Sequence, residues 1–172
     1  AVGMSTRILP HNFNEVLDTQ IALLQGGEFQ LFPDFPTGGL MDVSLYEDGN
    51  GKVRVRSQIE LVDDKTLVVR DLPYGVTTES LIQSIQDATN KGKLKLTSIN
   101  DFTTDTVNIE LRAARGVSAE EMLKRLYAFT QCEVSISVNL LVIRKNQPEL
   151  TSVTDVLKHC TDRLQTVLRR EL

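Results

Sequence analysis

Seven residues, Pro33-Asp34-Phe35-Pro36-Thr37-Gly38-Gly39, set the first hard limit on how this chain folds. Two prolines fix φ, and two adjacent glycines admit backbone that other residues avoid, so neither a helix nor a central strand runs through them. A rigid turn is required, and the clearest strand of the sequence follows soon after it. From 52 to 62, Val53, Val55, Ile59 and Leu61 share one side with Ser57, while Lys52, Arg54, Arg56, Gln58 and Glu60 share the other. A side-chain period of two produces that division. One face suits a core; the other begins with a row of three cations.

The flanking segments complete an α+β plan, a mainly antiparallel sheet with helices on one face. Residues 12–25 read as a helix with Phe13, Val16, Leu17, Ile21 and Leu24 on one side, an Asn12/Glu15 cap pair and a Gly26-Gly27 stop. Met41, Val43 and Leu45 alternate with polar residues as in a half-buried strand, and 47–51 reads as a hairpin loop. Beyond 62 the spacing predicts a strand at 66–71, a helix at 77–89, strands near 94–100 and 106–112, a helix from Ser118 and a β-type run over 132–144. The last segment steps Val153, Leu157, Cys160, Leu164, Val167 by four and three, as in a coiled-coil seam, and meets no Gly or Pro before Leu172. A surface helix on the same core is the competing reading.

With 41% hydrophobic residues, the 172-residue chain has enough apolar material for one domain and a short appendage. A net charge of −4 argues against a free-standing nucleic-acid binder but leaves room for a local basic face. No Trp and 5% aromatics supply a base-stacking platform poorly, which disfavours a single-stranded RNA binder. No apolar stretch approaches a membrane span, and Ala1-Val2-Gly3-Met4 does not read as a signal peptide. Cys132 and Cys160 match no metal or disulfide spacing and read as small core residues, which fits a reduced cytoplasm.

Catalytic constellations are scarce. His11 and His159 lie far apart in sequence and suggest no triad, and no phosphate-cradling glycine loop occurs. Asp63-Asp64 and Glu120-Glu121 sit at a turn and a helix start, where carboxylates belong for structural reasons. Tyr46, Tyr74 and Tyr127 read as structural. The binding candidates are Lys52, Arg54 and Arg56, spaced about 7 Å apart along a strand, much as phosphates follow one another on a DNA strand. Arg7 and His11 ahead of a helix start form a second cluster. Lys91, Lys93 and Lys95 form a third, read here as a solubility feature.

Six motifs, in order, resemble the A subunits of bacterial type IIA DNA topoisomerases (gyrase and topoisomerase IV). Residues 1–12 resemble the exit from the winged-helix cleavage domain, and 33–39 the proline-rich turn. Gly51–Arg56 resembles the basic strand of the tower domain, and Asp71-Leu72-Pro73-Tyr74 with Leu81, Ile82 and Ile85 its strand-to-helix turn. Leu126–Gln131 with Val134-Ser135 resembles its last helix and strand, and Thr154–Leu172 the opening of the coiled coil that leads to the dimer gate. The short loop at 45–51 lacks the insertion typical of gyrase A subunits and is more similar to the topoisomerase IV branch.

The resemblance implies three consecutive parts: 1–28 leaving the cleavage domain, 29–148 as the tower, and 149–172 opening the coiled coil. It implies a role in holding and bending a cleaved duplex during ATP-dependent strand passage, with Lys52, Arg54, Arg56, Arg7 and His11 on the phosphate backbone. The family's catalytic tyrosine has no counterpart here, so the expectation is a non-catalytic part of a larger isomerase. The implied partners are duplex DNA, a B subunit supplying ATP hydrolysis and magnesium, and a second A subunit; no cofactor is expected on this chain itself. The alternative, from another class, is a stand-alone α+β regulatory or interaction module.

Overall fold

The structure, a computed structural model, describes residues 3–172; Ala1 and Val2 of the opening motif lie outside the described residues. Among the described residues, four α-helices are interleaved with nine short strands. In chain order they are α1 (Phe13–Gln25), β1 (Leu40–Asp42), β2 (Lys52–Arg56), β3 (Ile59–Leu61), β4 (Thr66–Val69), α2 (Thr78–Asn90), β5 (Leu96–Asp101), β6 (Ile109–Ala113), α3 (Ala119–Phe129), β7 (Glu133–Ser137), β8 (Leu141–Arg144), β9 (Gln147–Leu150) and α4 (Val153–Glu171). The fold is α+β, with the strands divided among three antiparallel assemblies ordered β1-β2-β7, β3-β4-β6-β5 and β8-β9. Two compact units emerge: the described residues up to Phe35 with Val43–Val53 and Ile136–Leu172, and Pro36–Asp42 with Arg54–Ser135.

The second unit holds a closed core. Leu67 and Val69 of β4 lie opposite Leu111 and Ile109 of β6, and this apolar face meets Leu81 and Ile85 of α2 and Met122 and Leu126 of α3. The other face of the sheet carries Glu60 paired with Arg70 and Glu110 with Arg112. Strand alternation and helical periodicity thus act together, placing both helices on one face of the four-stranded sheet as the sequence predicts. Thr77 and Ser80 close a reciprocal capping box at the start of α2. Ser118 accepts from the Glu121 N–H at the start of α3, while the Glu121 carboxylate turns to Arg125.

Two predicted strands are broken. The run 52–62 splits at Ser57-Gln58, because the Ser57 N–H donates to Cys132 and the Gln58 N–H to the Asp71 carboxylate. Before the break the strand pairs with β1; after it, with β4. The run 132–144 is interrupted near Asn139, whose backbone exchanges hydrogen bonds with Arg7, and its second part turns into the unforeseen hairpin β8-β9. The strand expected over 41–45 stops at Asp42.

In the first unit α1 packs against α4. Val153, Leu157 and Thr161 form the buried stripe of α4. That stripe advances by four residues, so Thr161 faces inward and Cys160 does not. Cys160 is exposed, which corrects its assignment as a core residue; Cys132 is fully buried as expected. Leu164 and Val167 of the seam pattern are also exposed. On α1 the stripe Phe13, Leu17, Ile21, Leu24 faces out, with Phe13 at 73% exposure, and the buried residue is Thr19.

Candidate nucleic-acid interface

β2 presents its cations because its other face is anchored: Val53 and Val55 are completely buried, and the residues between and beside them point outward. Its entry and its neighbour depend on glycine. A Cβ at Gly51 would lie 2.0 Å from the Leu45 carbonyl oxygen, and one at Gly39, where φ is +98°, would lie 3.0 Å from that of Arg56. Only glycine allows both approaches without displacing backbone.

In the second unit, Asp42 of β1 stands directly opposite Arg54 in the strand register. Its Oδ2 accepts from Arg54 Nη2 at 2.6 Å. That hydrogen bond and the carboxylate charge raise the Arg54 pKa, fixing the guanidinium as a cation. Arg56 donates from Nε to Glu133 Oε2, and its guanidinium carbon lies 5.0 Å from the centroid of the Tyr127 ring. Tyr127 is held in place by donating its hydroxyl to the Ser57 carbonyl at 2.9 Å. Both arginines keep about half of their side-chain surface open, 52% and 50%. They line an open cleft of about 350 Å³ with Leu40, Met41 and Asp42.

Each guanidinium has five N–H donors, so the acids leave several free for a second acceptor. The local charge is nevertheless balanced, two cations against two carboxylates. Glu60 does not supply this balance, although the sequence puts it on the same strand face; it pairs with Arg70 instead. Asp42, Glu133 and Tyr127 are the participants that strand periodicity alone misses. The signal that could have found Asp42 is its place on the strand paired with β2.

The remaining predicted residues lie in the first unit. Lys52, at the start of β2, is exposed and in no ion pair among the described residues. Arg7 also has an exposed side chain, while its backbone N–H and carbonyl both bond to Asn139. His11 points to a different partner: its Nε2 lies 3.3 Å from the Tyr46 hydroxyl. Burial lowers the His11 pKa, only partly opposed by a backbone hydrogen bond at Leu9 and the charge of Glu15, and so favours the neutral ring. Burial, with Asp48 nearby, pushes Tyr46 up to about 12. Tyr127 is raised as well, chiefly by burial. Neither phenol is therefore activated as a nucleophile. A further cleft of about 480 Å³ in this unit has Glu47 and Asp48 as its charged lining, which would repel phosphate. Among the described residues no group of three or more His, Cys, Asp or Glu side chains is placed to hold a metal ion, and no helix is long and apolar enough to cross a membrane.

Comparison with known proteins gives a consistent pattern. A family model for the A subunit of DNA gyrase/topoisomerase IV matches residues 1–172. The chain is 51% identical over 172 residues to the DNA topoisomerase 4 A subunit of Borreliella burgdorferi, covering all of this chain and 28% of that protein. It is 33% identical over 178 residues to the DNA gyrase A subunit of Aeromonas salmonicida, covering 91% of this chain and 19% of that one. Identity to the DNA gyrase A subunit of Leptospira biflexa is 29% over 190 residues, covering 99% and 22%. The chain spans less than a third of the length of these relatives.

Proposed function

Because the chain belongs to the A-subunit family of DNA gyrase and topoisomerase IV, we propose that it is the duplex-holding part of a topoisomerase IV A subunit. In this reading residues 1–28 lead out of the cleavage domain, 29–148 form the tower and 149–172 open the coiled coil. Lys52, Arg54 and Arg56 contact phosphates along a bent duplex, with Arg7 and His11 near the path of the DNA. Burial lowers the His11 pKa, which favours a hydrogen-bonding role there over a charged one. Cleavage belongs to tyrosines elsewhere in a homodimer, and ATP and magnesium to the B subunit. The whole enzyme relaxes and decatenates DNA by passing one duplex through another. The compartment is the cytoplasm.

The observation that carries the reading is the pair Arg54 and Arg56, held by acids yet half open. Smoothly bending a duplex of a few turns costs on the order of 1–6 kcal/mol, and contacts along its arms must offset this. A guanidinium already fixed in direction donates to a phosphate with less loss of side-chain freedom. Such contacts position the duplex without reading its sequence.

The test replaces Lys52, Arg54 and Arg56 by Ala in the whole enzyme, with both kinds of subunit present, and measures duplex affinity against salt. Three lost phosphate contacts should flatten the logarithmic salt slope by roughly 2 to 3 units. An unchanged slope refutes the assignment of these residues.

A further inference from the structure

Arg54, Arg56, Arg70, Arg112 and Arg125 of the second unit each meet a carboxylate. Lys91, Lys93 and Lys95 have no ion pair among the described residues, and all three are exposed. They are held in a defined loop. The Lys91 N–H donates to Asp87 and the Lys93 N–H to Ala88, closing the end of α2, and Leu94, 2% exposed, plugs the loop into the core between Lys93 and Lys95. Arg125 of α3 donates from Nη1 to the Lys93 carbonyl at 3.3 Å. The Lys93 ammonium lies 5.4 Å from the centroid of Phe129, the last residue of α3, which is 49% exposed. The loop, the last turn of α2 and the first two turns of α3 together carry five cations (Lys91, Lys93, Lys95, Lys124, Arg125) and three carboxylates (Asp87, Glu120, Glu121). A surplus of two positive charges remains, where the Arg54–Arg56 cleft is balanced.

We propose that this loop, with Phe129 steadying the Lys93 ammonium, is a second phosphate-backbone contact for duplex DNA, separate from β2. A surface built only for solubility needs neither a buried leucine anchoring the loop nor a lysine set over an aromatic ring. The loop enters β5, the edge of the sheet opposite β3, and β3 follows β2 in the chain. Three strand spacings separate β3 from β5, about 14 Å in all. On this proposal the loop meets phosphates other than those at Arg54 and Arg56, so the two contributions add. This inference rests on the duplex-holding reading, and the experiment separates the two.

In the whole enzyme, with A and B subunits present, three variants are compared by duplex affinity over a salt series: Lys91→Ala/Lys93→Ala/Lys95→Ala, Lys52→Ala/Arg54→Ala/Arg56→Ala, and their sixfold combination. The lysine variant should flatten the slope by roughly 2 to 3 units, and the sixfold variant should lose the sum of the two effects. Replacing the same lysines by Arg should keep the original slope, because charge and not side-chain shape makes the contact. If the lysine variant keeps the original slope while the β2 variant flattens it, the loop proposal fails and the β2 reading stands. If neither variant flattens the slope, both fail. An Arg series that behaves like the Ala series also overturns the proposal, since it would trace the effect to packing.

Discussion

Asp42 offers the sharpest test of how the β2 arginines work. Its carboxylate lies directly opposite Arg54 and holds Nη2 at 2.6 Å. If a DNA phosphate uses the remaining donors of the same guanidinium, Asp42 competes with it electrostatically. Asp42→Asn keeps the side chain's size and an acceptor oxygen but removes the charge, adding one net positive charge to the cleft. Each extra phosphate neutralised steepens the logarithmic salt dependence by about 0.9 units, so a fourfold rise in salt should cost the variant about 3.5-fold more affinity than the parent. The assay is fluorescence anisotropy of a labelled duplex with the assembled A and B subunits, titrated at several salt concentrations. Arg54→Ala should move the slope the other way, and putting Arg54→Ala into the Asp42→Asn background should erase the gain. That last measurement is a double-mutant cycle and isolates the coupling between the two residues. A slope that is unchanged or flatter in Asp42→Asn refutes the competition, and with it the idea that the ion pair faces the DNA.

Three further outcomes follow from the packing and the titrating groups. Leu126→Ala, at a fully buried core position, should destabilise the second unit by about 2–5 kcal/mol in urea denaturation, whereas Leu164→Ala on the exposed side of α4 should stay within about 0.5 kcal/mol; equal effects would contradict the burial. The folded His11 pKa lies below its ordinary value, so the unfolded chain binds the proton first. The stability contributed by the neutral ring is then complete above about pH 6.5 and is lost as pH falls towards the folded pKa, a loss that His11→Gln should remove from pH-dependent unfolding curves. Cys160 should react with a thiol reagent in the native protein, while Cys132, buried and with its thiol pushed up to about 11, should react only on unfolding; two fast thiols in the native state would count against this packing.

Much of this fold was legible because two periodicities seldom conflict in the second unit. Leu81, Ile85, Met122 and Leu126 fall at helical spacing, and the core uses them as the sequence suggests. What escaped the pattern was decided by partners distant in sequence. Ser57 continues the alternation of its strand, yet its N–H is claimed by Cys132, and the strand changes sheet there. Alternation reports which side a residue faces; it is silent on which strand lies alongside. The same limit hid Asp42 and Glu133 behind the cations of β2, so Arg54 and Arg56, which read as free charge, are ion-paired. On α1, helical spacing correctly predicts a helix but not that Phe13, Leu17, Ile21 and Leu24 remain uncovered.

The ion pairs also bear on how an acidic chain would hold a polyanion in the proposed role. With a net charge of −4, any attraction to DNA would come from where the cations stand and not from their total. A surplus placed directly on β2 would push its own cations apart and bind counterions tightly before DNA arrived. Asp42 and Glu133 cancel that repulsion while leaving about half of each arginine open. Fixed direction would thereby be retained where a phosphate backbone is gripped, while Lys91, Lys93 and Lys95 carry cations with no ion pair among the described residues. Removing the acids should therefore raise DNA affinity while lowering the stability of the free protein. A variant carrying both Asp42→Asn and Glu133→Gln that gained on both measures would show that the carboxylates have no part in orienting the arginines.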